Sequence, residues 1–166
     1  RAATEEIPFR WMTGTQSHEA MAGTIAAIEH IAWIGRCVSD GDLSRREALG
    51  CAFEAIEEYE QSLCWRMIDG LQALDGVRIW GITDSERKTE RAPTVSFTHD
   101  SMSPKRIADA LAERGIFVWE GNFYALELTE ALGLEPEGVL RVGVLHYNTM
   151  DEVDRFLDEL ADILSS

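Results

Sequence analysis

The sequence predicts a mixed α/β protein, with two long N-terminal helices followed by a small α+β-like domain in which helices pack on a four-stranded sheet. Three observations lead there. Over residues 17–74, apolar side chains recur at three- and four-residue spacings, the helical period. Beyond Asp75-Gly76, short β-rich runs alternate with amphipathic segments bounded by Gly and Pro. Finally, 166 residues with 45% hydrophobic and 27% charged side chains suffice for a substantial core of ordinary globular composition.

Taken in order, residues 1–12 read as an extended lead-in, because Pro8 opposes helix at Ile7. Thr13-Gly14-Thr15-Gln16-Ser17 is a turn of small residues ahead of a helix. It suits an N-cap, from Ser17 or Thr15, and equally a phosphate held by free backbone N–H groups at the helix start. The first helix is expected over residues 17–35. Ala20, Ile25, Ala27, Ile28, Ile31, Ala32 and Ile34 surround much of its circumference, which predicts that part of it meets something outside this chain. Ser44 and Glu47 form a capping box for a second helix reaching about residue 74, with Gly70 marking a bend. Glu54, Glu57, Glu58 and Glu60 read as a solvated face rather than a metal site, since no His joins them.

Strands are expected over residues 77–82, 94–98, 116–120 and 139–147, with a charged loop at 83–93. Ser103-Pro104 opens a helix over 104–114, which Gly115 closes in a left-handed conformation. A short helix at 125–132 and a final one at 151–164, capped by Thr149 or its neighbour, complete the domain. The run Val139, Leu140, Val142, Val144, Leu145 is too apolar for simple alternation and predicts a strand largely buried on both faces. Arg141 inside it must then snorkel to an edge or meet a carboxylate or phosphate at close range. Phe123 and Tyr124 suit a core as well as a functional loop.

The net charge of -15 argues against a nucleic-acid surface and an anionic membrane, both of which need clustered Lys and Arg. No signal peptide is visible, and no apolar run approaches the ~18 residues of a membrane span. Cys37, Cys51 and Cys64 form no CxxC pair, which speaks against a disulfide framework and a zinc site. Buried, reduced thiols in a cytoplasmic protein are expected. The chain opens on Arg1 rather than Met, which fits a fragment.

Leu140-Arg141-Val142, the corner Tyr147-Asn148-Thr149 and the following Glu152-Val153-Asp154-Arg155 resemble the closing strand and helix of the class V aminotransferases. These are fold-type I pyridoxal-phosphate enzymes and include the cysteine desulfurases. Phe9-Arg10-Trp11-Met12-Thr13-Gly14-Thr15 is similar to the Arg-Phe-Glu-x-Gly-Thr segment of the desulfurase-like members, with Met12 where Glu is common. The resemblance implies that Arg141 binds the carboxylate of an amino-acid substrate. It also implies that Gly14 and Thr15 contact the phosphate of pyridoxal phosphate in the neighbouring subunit of a homodimer.

The stretch from Gly115 to Ala125 resembles the family's Gly-Ile-x-Val-Arg-x-Gly-x-x-Cys-Ala strand and loop, but Trp119 stands for the Arg and Tyr124 for the nucleophilic Cys. A phenol cannot take up sulfur as a persulfide, so the usual desulfurase route is not expected. The Schiff-base lysine is missing too: Lys88 lies in a charged loop and Lys105 in a first helical turn, neither in a His-Lys setting. The resemblance therefore implies the C-terminal portion, roughly 40%, of such a protein. Residues 1–75 would link to a large cofactor domain and 76–166 would form the C-terminal small domain. The parent would be a transferase or lyase, and this chain alone would bind no cofactor and be inactive. The competing expectation is a stand-alone, non-enzymatic module binding a small molecule or partner. The choice among elimination, transamination and epimerisation, and the substrate itself, stay open.

Overall fold

The computed structural model describes residues 4–12 and 14–165, so Thr13 of the predicted turn lies outside the described residues. The chain divides into two compact units, Arg1–Ala55 and Ile56–Ser166, the division falling inside the second long helix.

The first unit holds a short 3-10 turn at Phe9–Trp11, helix α1 at His18–Val38 and the beginning of α2, Arg45–Gln72. The lead-in is thus not extended throughout. Pro8 occupies the N-cap of the turn, where a missing N–H breaks no bond, and its carbonyl accepts from Trp11 N at 3.2 Å. Helices α1 and α2 touch through small residues: a Cβ at Gly35 would overlap the Ala48 carbonyl, and Ala32, Ala48 and Ala52 are fully buried. The predicted capping box opens α2, with Ser44 N donating to Glu47 Oε2 at 3.0 Å and Glu47 N to Ser44 Oγ at 3.4 Å. Only Ala32 and Gly35 of α1 are buried, while Met21, Ile25, Trp33 and Val38 are exposed.

The second unit takes up the rest of α2, then β1 Val77–Trp80, β2 Thr94–His99, α3 Pro104–Glu113, β3 Trp119–Gly121, α4 Leu126–Ala131, β4 Val139–Gly143 and α5 Met150–Leu164. The strands form one antiparallel sheet in the order β1-β2-β4-β3. The α/β architecture read from the sequence is therefore the observed one. One face of the sheet is closed by helices. Val95, Phe97 and Leu140 from the strands meet Leu63, Met67, Ile68 and Leu71 of α2, Ile107 and Leu111 of α3, and Phe156, Leu157 and Leu160 of α5. Each such side chain contributes roughly 1.5–3 kcal/mol on burial.

Local signals hold at the helix ends. Ser103 accepts from Arg106 N, Pro104 takes the first helical position, and Gly115 (φ +74) turns the chain while Ile116 N bonds back to Leu111 O at 2.9 Å. Thr149 and Glu152 form a reciprocal capping box on α5. The charged loop contains a 3-10 segment, Ser85–Glu90, capped by Asp84.

Helix α2 runs through Gly70 to Gln72, and that glycine leaves room for Leu157 of α5, which a Cβ would overlap. Three expectations need correction. Strand β4 stops at Gly143 rather than continuing to residue 147, because Asn148 draws the chain into a turn by accepting from Leu145 N at 2.9 Å. Nor is β4 buried on both faces along its length: Leu140 is fully buried, whereas on the opposite face Val139 is buried but Arg141 and Gly143 are exposed, since helices cover only one side of the sheet. Of the cysteines only Cys64 is buried, where desolvation raises its thiol pKa; Cys37 is exposed and Cys51 half-buried, on helix faces the first unit leaves open. No helix among the described residues is long and apolar enough to cross a membrane.

Candidate functional site

Strand pairing aligns four residues in a row across the other face of the sheet. Trp80 pairs with Ser96, Ser96 with Arg141, and Arg141 with Trp119. Because side chains alternate along a strand, this row lies opposite Val95, Phe97 and Leu140. Arg141 is exposed, and Trp119 retains 72% of its surface. Next to the row, the Arg78 guanidinium sits 4.0 Å from the centroid of Trp80, whose indole N–H donates to Thr98 Oγ1 at 3.0 Å.

The side chain that meets the Arg141 guanidinium is an aromatic ring. Its guanidinium carbon lies 3.7 Å from the centroid of Phe123, and among the described residues no carboxylate pairs with it. A planar guanidinium stacked on a ring keeps its N–H donors at the rim, free for a planar oxyanion.

Phe123 is brought there by an unusual loop. Gly138 at the start of β4 comes so close to Gly121 at the end of β3 that a Cβ would overlap the Gly121 backbone. Gly121 has φ +122, and the next turn puts Phe123 (φ +54) and Tyr124 (φ +61) in the left-handed region. Bulky residues rarely adopt that conformation, at roughly 1–3 kcal/mol each. Asn122 offsets part of the cost: its side chain accepts from Tyr124 N at 3.1 Å and its carbonyl from Ala125 N at 2.9 Å. Phe123 is half-buried against Arg141, whereas Tyr124 is fully exposed and is no core residue.

Gly14 and Thr15 belong to the first unit, Arg141 to the second. Both are exposed, just ahead of α1, and nothing lies within 4 Å of a Cβ placed on Gly14. Ser17 takes the N-cap position of α1, but its side chain makes no capping bond. A helix start whose N-cap side chain makes no capping bond is an arrangement a phosphate fits. Lys105 is engaged by Asp109 at 3.1 Å, and Lys88 sits 5.3 Å from the Trp65 ring centroid. Glu60 departs from the predicted solvated face: its side chain is only 12% exposed and lies 3.8 Å from His146 Nδ1. No group of His, Cys, Asp and Glu among the described residues could hold a metal. A cleft of about 230 Å³ between Ile116–Val118, β4 and α5 is lined by Ile116, Val142, Val144 and Phe156 and lies on the helix-covered side.

The sequence matches the model of the aminotransferase class-V family over residues 47–156, and the chain belongs to that family. Its fold is cysteine desulfurase-like. It aligns with the crystal structure of the cysteine desulfurase CsdA from Escherichia coli with a TM-score of 0.73 and 25% identity, over 98% of this chain and 34% of that one. Among curated relatives, it is 38% identical to aminotransferase-like protein FGM3 of Gibberella zeae over 68% of this chain and 28% of that protein. It is 30% identical to probable cysteine desulfurase 2 of Mycobacterium leprae over 90% of this chain and 31% of that protein. The chain thus spans about a third of the length of these relatives.

Proposed function

We propose that this chain is the C-terminal portion of a pyridoxal-phosphate-dependent, cysteine desulfurase-like protein that acts on an amino acid, and that Arg141 binds the carboxylate of that substrate. The family is generally dependent on this cofactor. The observation that carries the reading is the guanidinium of Arg141, exposed on the open sheet face and backed by Phe123 instead of a carboxylate. Such a fork suits bidentate recognition of an α-carboxylate.

In this reading residues 1–75 link to a large cofactor domain and 76–166 form the small domain. The exposed apolar positions of α1, Met21, Ile25 and Trp33, favour a helix packed on such a domain or on a second copy in a cytoplasmic homodimer. Gly14 and Thr15 would offer backbone N–H groups to the cofactor phosphate of the neighbouring subunit. When bound, pyridoxal phosphate supplies the electron sink that labilises bonds at the substrate's α-carbon. The protein's part on this chain is to hold and orient the carboxylate.

Tyr124, at the family's Cys position, would not take up sulfur, so the substrate chemistry differs from persulfide formation. In this reading neither Lys88 nor Lys105 holds the cofactor, and the chain alone would be inactive. The test is equilibrium binding of amino acids to the full-length protein. Arg141→Ala should lose most of the binding while the absorbance of bound cofactor persists. Unchanged affinity would refute the assignment. In the same protein, cysteine should release no sulfane sulfur dependent on the Asn122–Ala125 turn.

A further inference from the structure

We propose that Phe123 is a positioning residue: it fixes the plane of the Arg141 guanidinium so that the N–H rim faces the carboxylate of the bound amino acid. The inference rests on the reading of Arg141 as carboxylate anchor and adds to it the residue that orients the anchor. Three observations carry it. The guanidinium carbon lies over the Phe123 ring, 3.7 Å from its centroid, within cation–π distance. Phe123 reaches that place only in a left-handed backbone conformation (φ +54), to which a phenylalanine brings no advantage by itself. The loop is held on both sides of Phe123: Gly138 closely approaches Gly121, and the Asn122 side chain accepts from Tyr124 N at 3.1 Å. An exposed arginine on a strand would otherwise sample many rotamers. A ring under one face removes the orientations in which the donor rim turns into the sheet, and leaves the in-plane N–H pairs available.

The stack also explains a division of labour in the loop. Tyr124, next to Phe123 and also left-handed (φ +61), points fully into solvent and makes no contact with the anchor, so the two adjacent aromatics are not interchangeable. Substituting Tyr124 should leave the orientation of Arg141 intact.

The experiment has two readouts. In the 166-residue chain labelled with ¹⁵N at arginine, the Arg141 Hε resonance should be shifted upfield by the ring current of Phe123. Phe123→Leu should abolish that shift, Phe123→Tyr should keep it, and Tyr124→Leu should not change it. In the full-length protein, binding of L-alanine is compared with L-alaninamide, which lacks the carboxylate. The wild type should prefer the acid. Phe123→Leu should reduce that preference about threefold, the size of an exposed cation–π contact, and Phe123→Tyr should restore it. Phe123→Leu with a full acid preference would overturn the proposal. A wild type showing no acid preference would overturn the Arg141 assignment itself, and with it this inference, a pattern distinct from the first. An unfolded Phe123→Leu would show in the remaining arginine resonances. Phe123→Trp then takes its place: it should keep both the shift and the preference, and loss of the preference in a folded Trp variant that retains the shift would count against the positioning role.

Discussion

The two faces of the same four-stranded sheet have opposite fates. One carries Ile79, Val95, Phe97 and Leu140 and is sealed by α2, α3 and α5; the other carries Trp80, Ser96, Arg141 and Trp119 and remains half-buried to exposed. Adjacent residues along β4 therefore do different work. Leu140 contributes to stability by leaving water, whereas Arg141 contributes nothing to the core and keeps a charged, stacked group at the surface. The core of this unit is thus built on one side of the sheet, and the other side leaves a charged and aromatic row accessible.

The largest effect expected from this difference is a pair of neighbours on β2. Phe97→Ala, on the sealed face, should cost about 3–5 kcal/mol in denaturant unfolding, while Ser96→Ala, one residue away on the open face, should stay within about 0.5 kcal/mol. Similar costs at the two sites would break the comparison. A smaller effect is expected where helix meets helix on the sealed side. Gly70→Ala places a methyl group into Leu157 and should destabilise by roughly 1–3 kcal/mol, an overpacking penalty that Leu157→Val should partly relieve. Gly50→Ala, with nothing within 4 Å, should be neutral or slightly stabilising by comparison.

The smallest effects lie at the entrance to α5. Thr149→Ala removes a capping bond and should cost about 1 kcal/mol. Its partner Glu152 has its pKa lowered, chiefly by the Thr149 backbone N–H and then by Asn148. A depressed carboxyl pKa adds stability above the ordinary carboxylate range and loses it as pH falls through the folded value. The stability difference between wild type and Glu152→Gln should therefore be present at neutral pH and fade in acid. A difference that grows on acidification would reverse the sign.

Much of this was readable from short-range chemistry. Ser44 with Glu47, Ser103-Pro104, Gly115 and Thr149 announce helix ends because a cap depends on residues within one turn of each other. What sequence could not reveal was which strand faces helices on one side only. Val139 and Leu145 made β4 look buried on both faces, yet Val139 is covered where the chain approaches Gly121 and Leu145 lies outside the strand, exposed. The Phe123–Arg141 stack was hidden for a related reason. Its left-handed turn lies beside the contact of Gly121 with Gly138, residues of different strand ends, and no local pattern in Gly121-Asn122-Phe123-Tyr124 reports it. The arginine itself was legible, through its place in a strand that resembles the family's closing one.

Recognition of a carboxylate by Arg141 on the open face is the proposal with the most direct test. The decisive measurement is the affinity of the full-length protein for an amino acid and for its amide, in the wild type and in Arg141→Lys, with unfolding recorded alongside. A charge-assisted pair predicts that the wild type favours the acid by about 1.5–3 kcal/mol, that the lysine variant loses most of this preference, and that its stability is unchanged because Arg141 lies outside the core. An Arg141→Lys protein that keeps the full preference, or that loses it only by unfolding, would contradict the claim.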